Sequence, residues 1–332
     1  MSAHLGAQLS PWRALRSAAR YVNQFRDRPF VVKLGGELLS VPERRRAIAE
    51  QLAVLWSFSI PVVVVHGGGG DLDRLCERLG IAVEKHAGRR QTSEEVLAAA
   101  KMSFAGELHT DLLADLRAAG LSVVGLSGVD AGLVDAVRRP PVDVDGQTVD
   151  FGAVGDIRRL RPAILRQLLA AGHVPVIAPL TGDDQGQVFN TNADTLAAEV
   201  AGALGAEKLF YLLEQPGLLA DVDDPATLLT ETAPAELRTM IGDGRIHGGM
   251  RPKADAVMRA LELGVHRVHL VSGLHPDALL EEVFTNEGSG TMVTADGVTA
   301  DGVTADGSAS VESDQQTMGT SAVTGEAKAC VS

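Results

Sequence analysis

Two cysteines in 332 residues, Cys76 inside a helical pattern and Cys330 near the C-terminal end, are too few and too far apart for a disulfide framework or a zinc site. A reducing, cytoplasmic setting is therefore expected. Basic charge is also short: 30 Lys and Arg stand against 43 Asp and Glu, a net charge of −13. Such a chain lacks the basic stripe that nucleic acid requires and is repelled by anionic lipid, so neither nucleic acid nor a membrane is an expected partner. No apolar run reaches the ~18 residues that span a bilayer. Arg13, Arg16 and Arg20 precede no apolar segment of the secretory type, so no leader is expected. The phosphate loop Gly-x-x-x-x-Gly-Lys-Ser/Thr is missing, as is Gly-x-Gly-x-x-Gly after the first strand. Ordinary P-loop enzymes and dehydrogenases are disfavoured.

What is present is mostly core-forming: 45% of residues are hydrophobic, enough for a substantial globular interior. Lysine is rare, with six among the 30 basic residues, and two of the six sit beside glycines. Lys33 precedes Gly35-Gly36, and about thirty residues later comes His66-Gly67-Gly68-Gly69-Gly70. Lys253 follows Gly248-Gly249-Met250. Between them lies Asn190-Thr191-Asn192-Ala193-Asp194. Glycine lets backbone N–H groups approach an anion closely, and a carboxylate can orient two ammonium groups. This inventory suits phosphoryl transfer, where a protein mainly positions reactants and neutralises oxygen charge.

Apolar runs without polar alternation, at Phe30–Leu34, 61–65, 121–126, Val174–Ala178, 209–213 and 267–271, predict strands buried on both faces of a mostly parallel sheet. Helical patterns fall at about 42–57, 70–79, 93–118, 161–171, 192–204, 252–263 and 276–283. The alternation predicts an α/β fold with ligands at the carboxyl ends of the strands. Asn192 reads as the cap of the helix after it. Between Gly132 and Ile157, short strands and an Asp145-Gly146 turn predict a hairpin excursion that could cover the smaller substrate. Pro11–Phe25 predicts an amphipathic helix with Trp12, Leu15, Ala19 and Val22 on one stripe, free to pack outside its own subunit. Past Met292 the Val-Thr-Ala-Asp-Gly repeats predict a disordered tail.

These motifs carry a resemblance. Lys33-Leu34-Gly35-Gly36, Val65–Gly69, Gly88-Arg89-Arg90-Gln91-Thr92, Val124–Gly128, Asn190–Asp194 and Gly248–Lys253 follow the order and approximate spacing of the acetylglutamate kinases, members of the amino-acid kinase superfamily. The likeness covers residues 20–292. It implies a three-layer α-β-α sandwich, with an acyl-amino-acid half over about 29–180, a nucleotide half over about 181–292, an interaction helix within 1–28 and a tail over 293–332. The implied reaction is phosphorylation of the γ-carboxylate of N-acetyl-L-glutamate by ATP, with Mg²⁺ held mainly by the nucleotide phosphates. A carboxylate of pKa near ~4.3 is ionised at neutral pH, so no general base is required.

The resemblance assigns roles. Lys33 and Lys253 flank the moving phosphoryl group, and Asp194 holds both. Gly68 and Gly69 offer amides to the acid, Arg90 clamps its α-carboxylate, and Asn190 bonds the same substituents. Gly35, Gly36, Glu214, Gly217, Gly248, Gly249 and Met250 fall on the nucleotide side. Leu213-Glu214-Gln215-Pro216-Gly217 departs there from the family's usual Thr-Asp-Val-x-Gly. His66 supports its loop, and Arg89 replaces a residue that is commonly apolar. Tyr21, His269, Glu287 and Gly288 match the arginine pocket of arginine-inhibited members, whose N-terminal helices join dimers into a hexamer. Other readings of the motifs are a kinase for N-succinylglutamate or a carrier-linked aminoadipate, an aspartokinase, and a catalytically silent arginine sensor. Retention of both lysines with Asp194 argues against the sensor.

Overall fold

Strands made of unbroken valine and leucine need cover on both faces. The computed structural model supplies it across residues 11–86, 88–144, 146–221, 224–285 and 288–295, the residues it describes. Asp145, Glu287, residues 1–10, the side chains of Trp12 and Leu15, and the tail from 296 lie outside them. The main sheet has eight strands, in the order Glu231–Thr232, Thr291–Thr294, Arg267–Ser272, Lys208–Leu213, Phe30–Leu34, Val62–His66, Val174–Ala178 and Val123–Ser127. Thr291–Thr294 runs antiparallel to Arg267–Ser272; the other pairings are parallel.

Alternation along each strand divides the core. Val31, Val63, Val65, Leu209 and Tyr211 face one layer, against Leu165, Leu196, Val200 and Val257. These four residues come from helices Ala163–Ala170, Ala193–Leu204 and Met250–Glu262. Phe30, Val32, Leu34, Val62, Val64 and Phe210 face the other layer, against Ile48, Leu52, Leu112 and Leu279. Those come from helices Pro42–Ser57, Leu108–Ala118 and Ala278–Phe284. Full burial of each such side chain is worth roughly 1.5–3 kcal/mol. The three-layer expectation holds.

Three details differ from the sequence expectation. The helix predicted over 93–118 is interrupted: Glu94–Met102 and Leu108–Ala118 flank a wider turn at Ser103–Glu107, where Gly106 has non-helical angles of φ −114°, ψ −108°. The break lets Phe104 and Leu108 approach the loop after His66. The last strand reaches Thr294, two residues beyond the expected end of the domain, because its ladder with Arg267–Ser272 supplies order that a Thr-rich segment lacks alone. The N-terminal helix Pro11–Phe25 is present, but its last turn belongs to its own subunit. Phe25 is buried among Phe30, Leu52 and Val283, with Tyr21 packed alongside, whereas Ala19 of the predicted stripe is exposed.

The 132–157 excursion forms two antiparallel pairs. Val142–Val144 pairs with Gln147–Val149 as a ribbon. Val134–Arg138 pairs with Gly155–Leu160 inside a four-stranded second sheet that also contains Leu180–Gly182 and Val188–Asn190. That sheet delivers Asn190 to the carboxyl-end side of the main sheet.

Candidate active site

Lys33 is the fourth residue of its strand and shares the face of Val31, so its side chain meets the start of helix Ala193–Leu204. The Asn192 side chain caps that helix as expected, accepting from the Asp194 and Thr195 amides at 2.8 and 3.0 Å. Asp194, in the first turn, gains from the positive end of the helix dipole. Tyr211 Oη fixes the same turn by donating to the Asp194 carbonyl at 3.0 Å. Lys33 Nζ lies 2.6 Å from Asp194 Oδ1, and Lys253 Nζ lies 3.7 Å from Oδ2. Burial alone pushes the Asp194 carboxyl up, but Lys33 and then Lys253 outweigh it and hold it below the usual carboxylate range. Two cations 220 residues apart in sequence thus share one buried carboxylate. Lys253 also donates to the Gly249 carbonyl at 3.3 Å.

The glycine loops touch backbone to backbone. A Cβ on Gly36 would lie 2.8 Å from Gly68 Cα, and one on Gly68 would lie 2.7 Å from Leu108 Cδ2. The Gly67 amide donates to the Leu34 carbonyl at 2.9 Å, which fixes one loop on the other. Gly69 opens an eleven-residue helix, Gly69–Leu79. Behind the loop, His66 is fully buried. Its Nδ1 lies 3.1 Å from the Gly67 carbonyl and its Nε2 2.9 Å from His109 Nδ1. The geometry fits a relay in which each Nδ1–H donates onward. Burial first, then His109 and Lys33, hold the His66 imidazole at about 3, against the opposing Gly67 carbonyl. A neutral ring bonded to its own loop is a support, as its sequence context suggests.

A cavity of about 260 Å³ gathers Lys33, Gly68, Gly69, Arg90, Asn190 and Lys253. Gly36, expected on the nucleotide side, lines this cavity and not the larger one described next. Arg90 is anchored: it ion-pairs with Asp73 and donates to the Gly69 carbonyl at 2.9 Å. Asn190 Nδ2 donates to Thr92 Oγ1 at 3.2 Å. Asp73 had no sequence signal, since only the fold brings it to Arg90.

A larger cavity, about 370 Å³, is lined by Gly35, Glu214, Gly217, Gly249, Met250 and Lys253 among others. Glu37, Gly249 and Lys253 border both cavities, so the two open on the same lysine. Gly248 does not line the larger cavity; it supplies the left-handed turn (φ 54°) that starts the following helix. Glu214 lies on the wall, with its carboxylate taken by Arg44 at 3.0 Å. Arg245 and His247 line this cavity and were not anticipated; their only sequence signal is their place just before the glycine pair. Glu37 was likewise missed, although it directly follows Gly35-Gly36.

A second buried polar locus lies at the far edge of the core. His269 Nδ1 donates to Glu282 Oε1 at 2.6 Å, and Glu282 Oε2 accepts from the Ser289 and Gly290 amides at 2.7 and 3.0 Å. Burial first, then nearby Lys208, push His269 down to about 4, against Glu282. Burial opposes ionisation of Glu282, but His269 and the two amides outweigh it and hold the carboxyl at about 2. Lys208 Nζ sits 4.8 Å from the Phe25 ring centroid. A Cβ on Gly288 would lie 2.7 Å from Glu282 Oε2. His269 and Gly288 thus meet at Glu282, the buried acid, while Tyr21 stacks on Phe25, whose ring Lys208 overlies. The sequence reading named Glu287 instead, which lies outside the described residues.

A Lys–Asp–Lys centre between two cavities, on the carboxyl ends of a parallel sheet, defines a phosphotransferase site. Residues 28–272 match the amino acid kinase family, and the chain belongs to that family. It is 60% identical over 289 residues to acetylglutamate kinase of Myxococcus xanthus (strain DK1622), covering 85% of this chain and 94% of that one. Among solved structures it resembles N-acetylglutamate synthase from Neisseria gonorrhoeae complexed with coenzyme A and N-acetyl-glutamate. There the TM-score is 0.75 at 31% identity, over 86% of this chain and 64% of that chain. The same synthase complexed with coenzyme A and L-arginine gives 0.73 at 28%, over 86% and 66%.

Proposed function

We infer that the chain transfers the γ-phosphoryl group of ATP to the γ-carboxylate of N-acetyl-L-glutamate, a step of arginine biosynthesis. The observation that carries this reading is the bridging of Lys33 and Lys253 by Asp194 where the two cavities meet. In this reading the acid enters the smaller cavity and is anchored by Arg90 and Asn190. Its carboxylate is aimed at the nucleotide in the larger cavity. The attacking group is already an anion, so the obstacle is repulsion between it and the polyphosphate. The two ammonium groups offset that repulsion along the transfer path. Asp194 keeps both in place without neutralising either completely. Mg²⁺, bound with the nucleotide, would screen its phosphates. The donor set would fit an ion carried by phosphate oxygens and water, because Asp194 is engaged by the two lysines and Glu214 by Arg44.

An ADP-release assay with N-acetylglutamate, N-succinylglutamate, glutamate and aspartate side by side tests the substrate. N-acetylglutamate is expected to give the highest kcat/KM, and preferential turnover of free glutamate or aspartate would sink the reading. In the same assay Arg90→Ala is expected to raise KM for the acyl amino acid by about tenfold or more and to leave KM for ATP nearly unchanged. A rise mainly in the ATP KM would mean that the two cavities are assigned the wrong way round.

Feedback by arginine in a hexamer is a second reading, and the distal locus favours it. Glu282 offers a buried carboxylate to a guanidinium or ammonium group, beside the helix that carries Tyr21. A structural neighbour is complexed with L-arginine. Arginine bound there would alter how the helix leaves the subunit, and so the angles between subunits. Deleting residues 1–20 keeps Val22 and Phe25 in the core. It should reduce a hexamer to a dimer in light scattering and abolish inhibition by millimolar arginine, with catalysis largely kept. A full-length dimer indifferent to arginine would end this second reading alone.

A further inference from the structure

Glu37 belongs to the walls of both cavities, at the junction where Lys253 also stands. It lies in a one-turn helix, Gly36–Leu39, just past strand Phe30–Leu34. Leu38 and Leu39 are fully buried in the core, which fixes the turn and leaves Glu37 exposed on its outer side. A Cβ on Gly35 would lie 3.1 Å from Glu37 Oε2, so the carboxylate folds back over that glycine. Gly35 itself lines the larger cavity. The acid is thus held over the nucleotide side without being part of the Lys–Asp–Lys centre.

The charges around it are already matched. Lys33 and Lys253 share Asp194. Arg90 pairs with Asp73, Glu214 with Arg44 and Arg245 with Asp243. With Glu37, these complete the Lys, Arg, Asp and Glu side chains of the two walls. Among the described residues the Glu37 carboxylate has no hydrogen bond or ion pair. The two lysines exceed Asp194 by one positive charge, and Glu37 cancels it. A wall without net charge then faces a polyphosphate and a carboxylate that repel each other, and Glu37 repels the nearer phosphates as well. An unpaired acid at that point is adverse unless a cation arrives with the nucleotide. Magnesium on phosphate oxygens keeps several of its waters, and those waters donate to carboxylates.

We propose that Glu37 positions the metal: its carboxylate accepts hydrogen bonds from water on the Mg²⁺ that accompanies the nucleotide, and so fixes the ion at the junction of the cavities. This rests on the kinase reading above. The ligand class is a divalent cation carried by a nucleoside triphosphate. Lys33, Lys253 and Asp194 keep their roles, and no group is transferred to Glu37.

The test is calorimetric binding of AMP-PNP, a non-hydrolysable ATP analogue, with excess Mg²⁺ and with EDTA, to wild type, Glu37→Gln and Glu37→Asp. In wild type Mg²⁺ should tighten binding. Glu37→Gln keeps the shape and removes the charge, and it should cut that gain by about fivefold or more. The cut should come from both sides. The metal-free analogue binds more tightly once a repelling charge is gone, and the Mg²⁺ complex binds less tightly. Glu37→Asp keeps the charge and should retain part of the gain. Equal changes with and without the metal would show that Glu37 only shapes the wall, and would overturn the proposal. So would a wild type indifferent to Mg²⁺, or a gain left unchanged in Glu37→Gln. The ADP-release assay decides the kinase reading separately. Wild type with a Glu37-dependent gain that phosphorylates no acyl amino acid refutes the acid side of that reading, and the role of Glu37 stands. Wild type that binds the analogue in neither condition overturns both.

Discussion

Lys253→Ala is expected to lower kcat by at least about 100-fold, with little change in melting temperature. Lys33→Ala should lower kcat as much and destabilise the protein too. The shared catalytic loss follows from charge. Removing one preorganised donor from a developing oxyanion costs about 3–4 kcal/mol of transition-state stabilisation, and each lysine faces the junction of the two cavities. The difference in stability follows from burial. Lys33 is 5% exposed and makes the closer contact with Asp194, 2.6 Å against 3.7 Å for Lys253. Taking Lys33 away leaves a buried carboxylate with one distant partner, a loss of order 3–5 kcal/mol. The Lys253 side chain is 24% exposed, so water can replace it. Steady-state kinetics, with thermal unfolding of each variant, checks both halves. Near-normal turnover in either variant would remove that lysine from the mechanism.

Stability should fall as pH drops from 7 to 5, above the ~3.9–4.3 midpoints of ordinary carboxylates. His66 is held at about 3 and His269 at about 4, against 6.5 when unfolded. His109, buried beside His66, is also lowered. A histidine whose folded pKa lies below its unfolded value gains its proton first in the unfolded chain. Acid therefore favours unfolding, beginning near pH 6.5 and continuing down to the folded value. At about 1.4 kcal/mol per pH unit, His66 and His269 each cost about 2 kcal/mol by pH 5. Asp194 and Glu282 are lowered carboxylates, so their stabilisation persists across this window and is lost only under stronger acid. Urea unfolding at pH 7, 6 and 5, at one protomer concentration, should show the decline, and His66→Gln should make it shallower. Stability that stays flat over that range would mean these rings are solvated and titrate normally.

The centre of the site was legible in the sequence because its parts are local signals. Lysines are rare here, and two of them lie beside glycines: Lys33 at the end of an apolar run, and Lys253 just after Gly248-Gly249. Asn192-Ala193-Asp194 announces both a helix cap and an acid in the first turn. Chemistry that depends on composition and short spacing can be read this way. So can the alternation of strands and helices, because unbroken valine runs can be satisfied only by a sheet covered on both sides.

Tertiary structure decided the rest, for reasons that no short window contains. The 93–118 periodicity runs straight through Gly106, and the break appears only because Phe104 and Leu108 must fit against Gly68. The resemblance makes Arg90 a clamp on the α-carboxylate, and packing brings Asp73 to it from the neighbouring helix as a partner no short window shows. Glu282 looks like one more helical acid until the His269 strand and the Ser289 and Gly290 amides enclose it. The N-terminal helix carries a stripe that suggested another subunit, but Phe25 closes on Phe30 within its own. Partners distant in sequence meet through the crossovers of a parallel sheet, and burial then sets which charges are held, shared or left to meet a substrate. The sequence determined which groups the protein possesses and the layered scaffold that carries them; the packing of that scaffold decided which of them face one another.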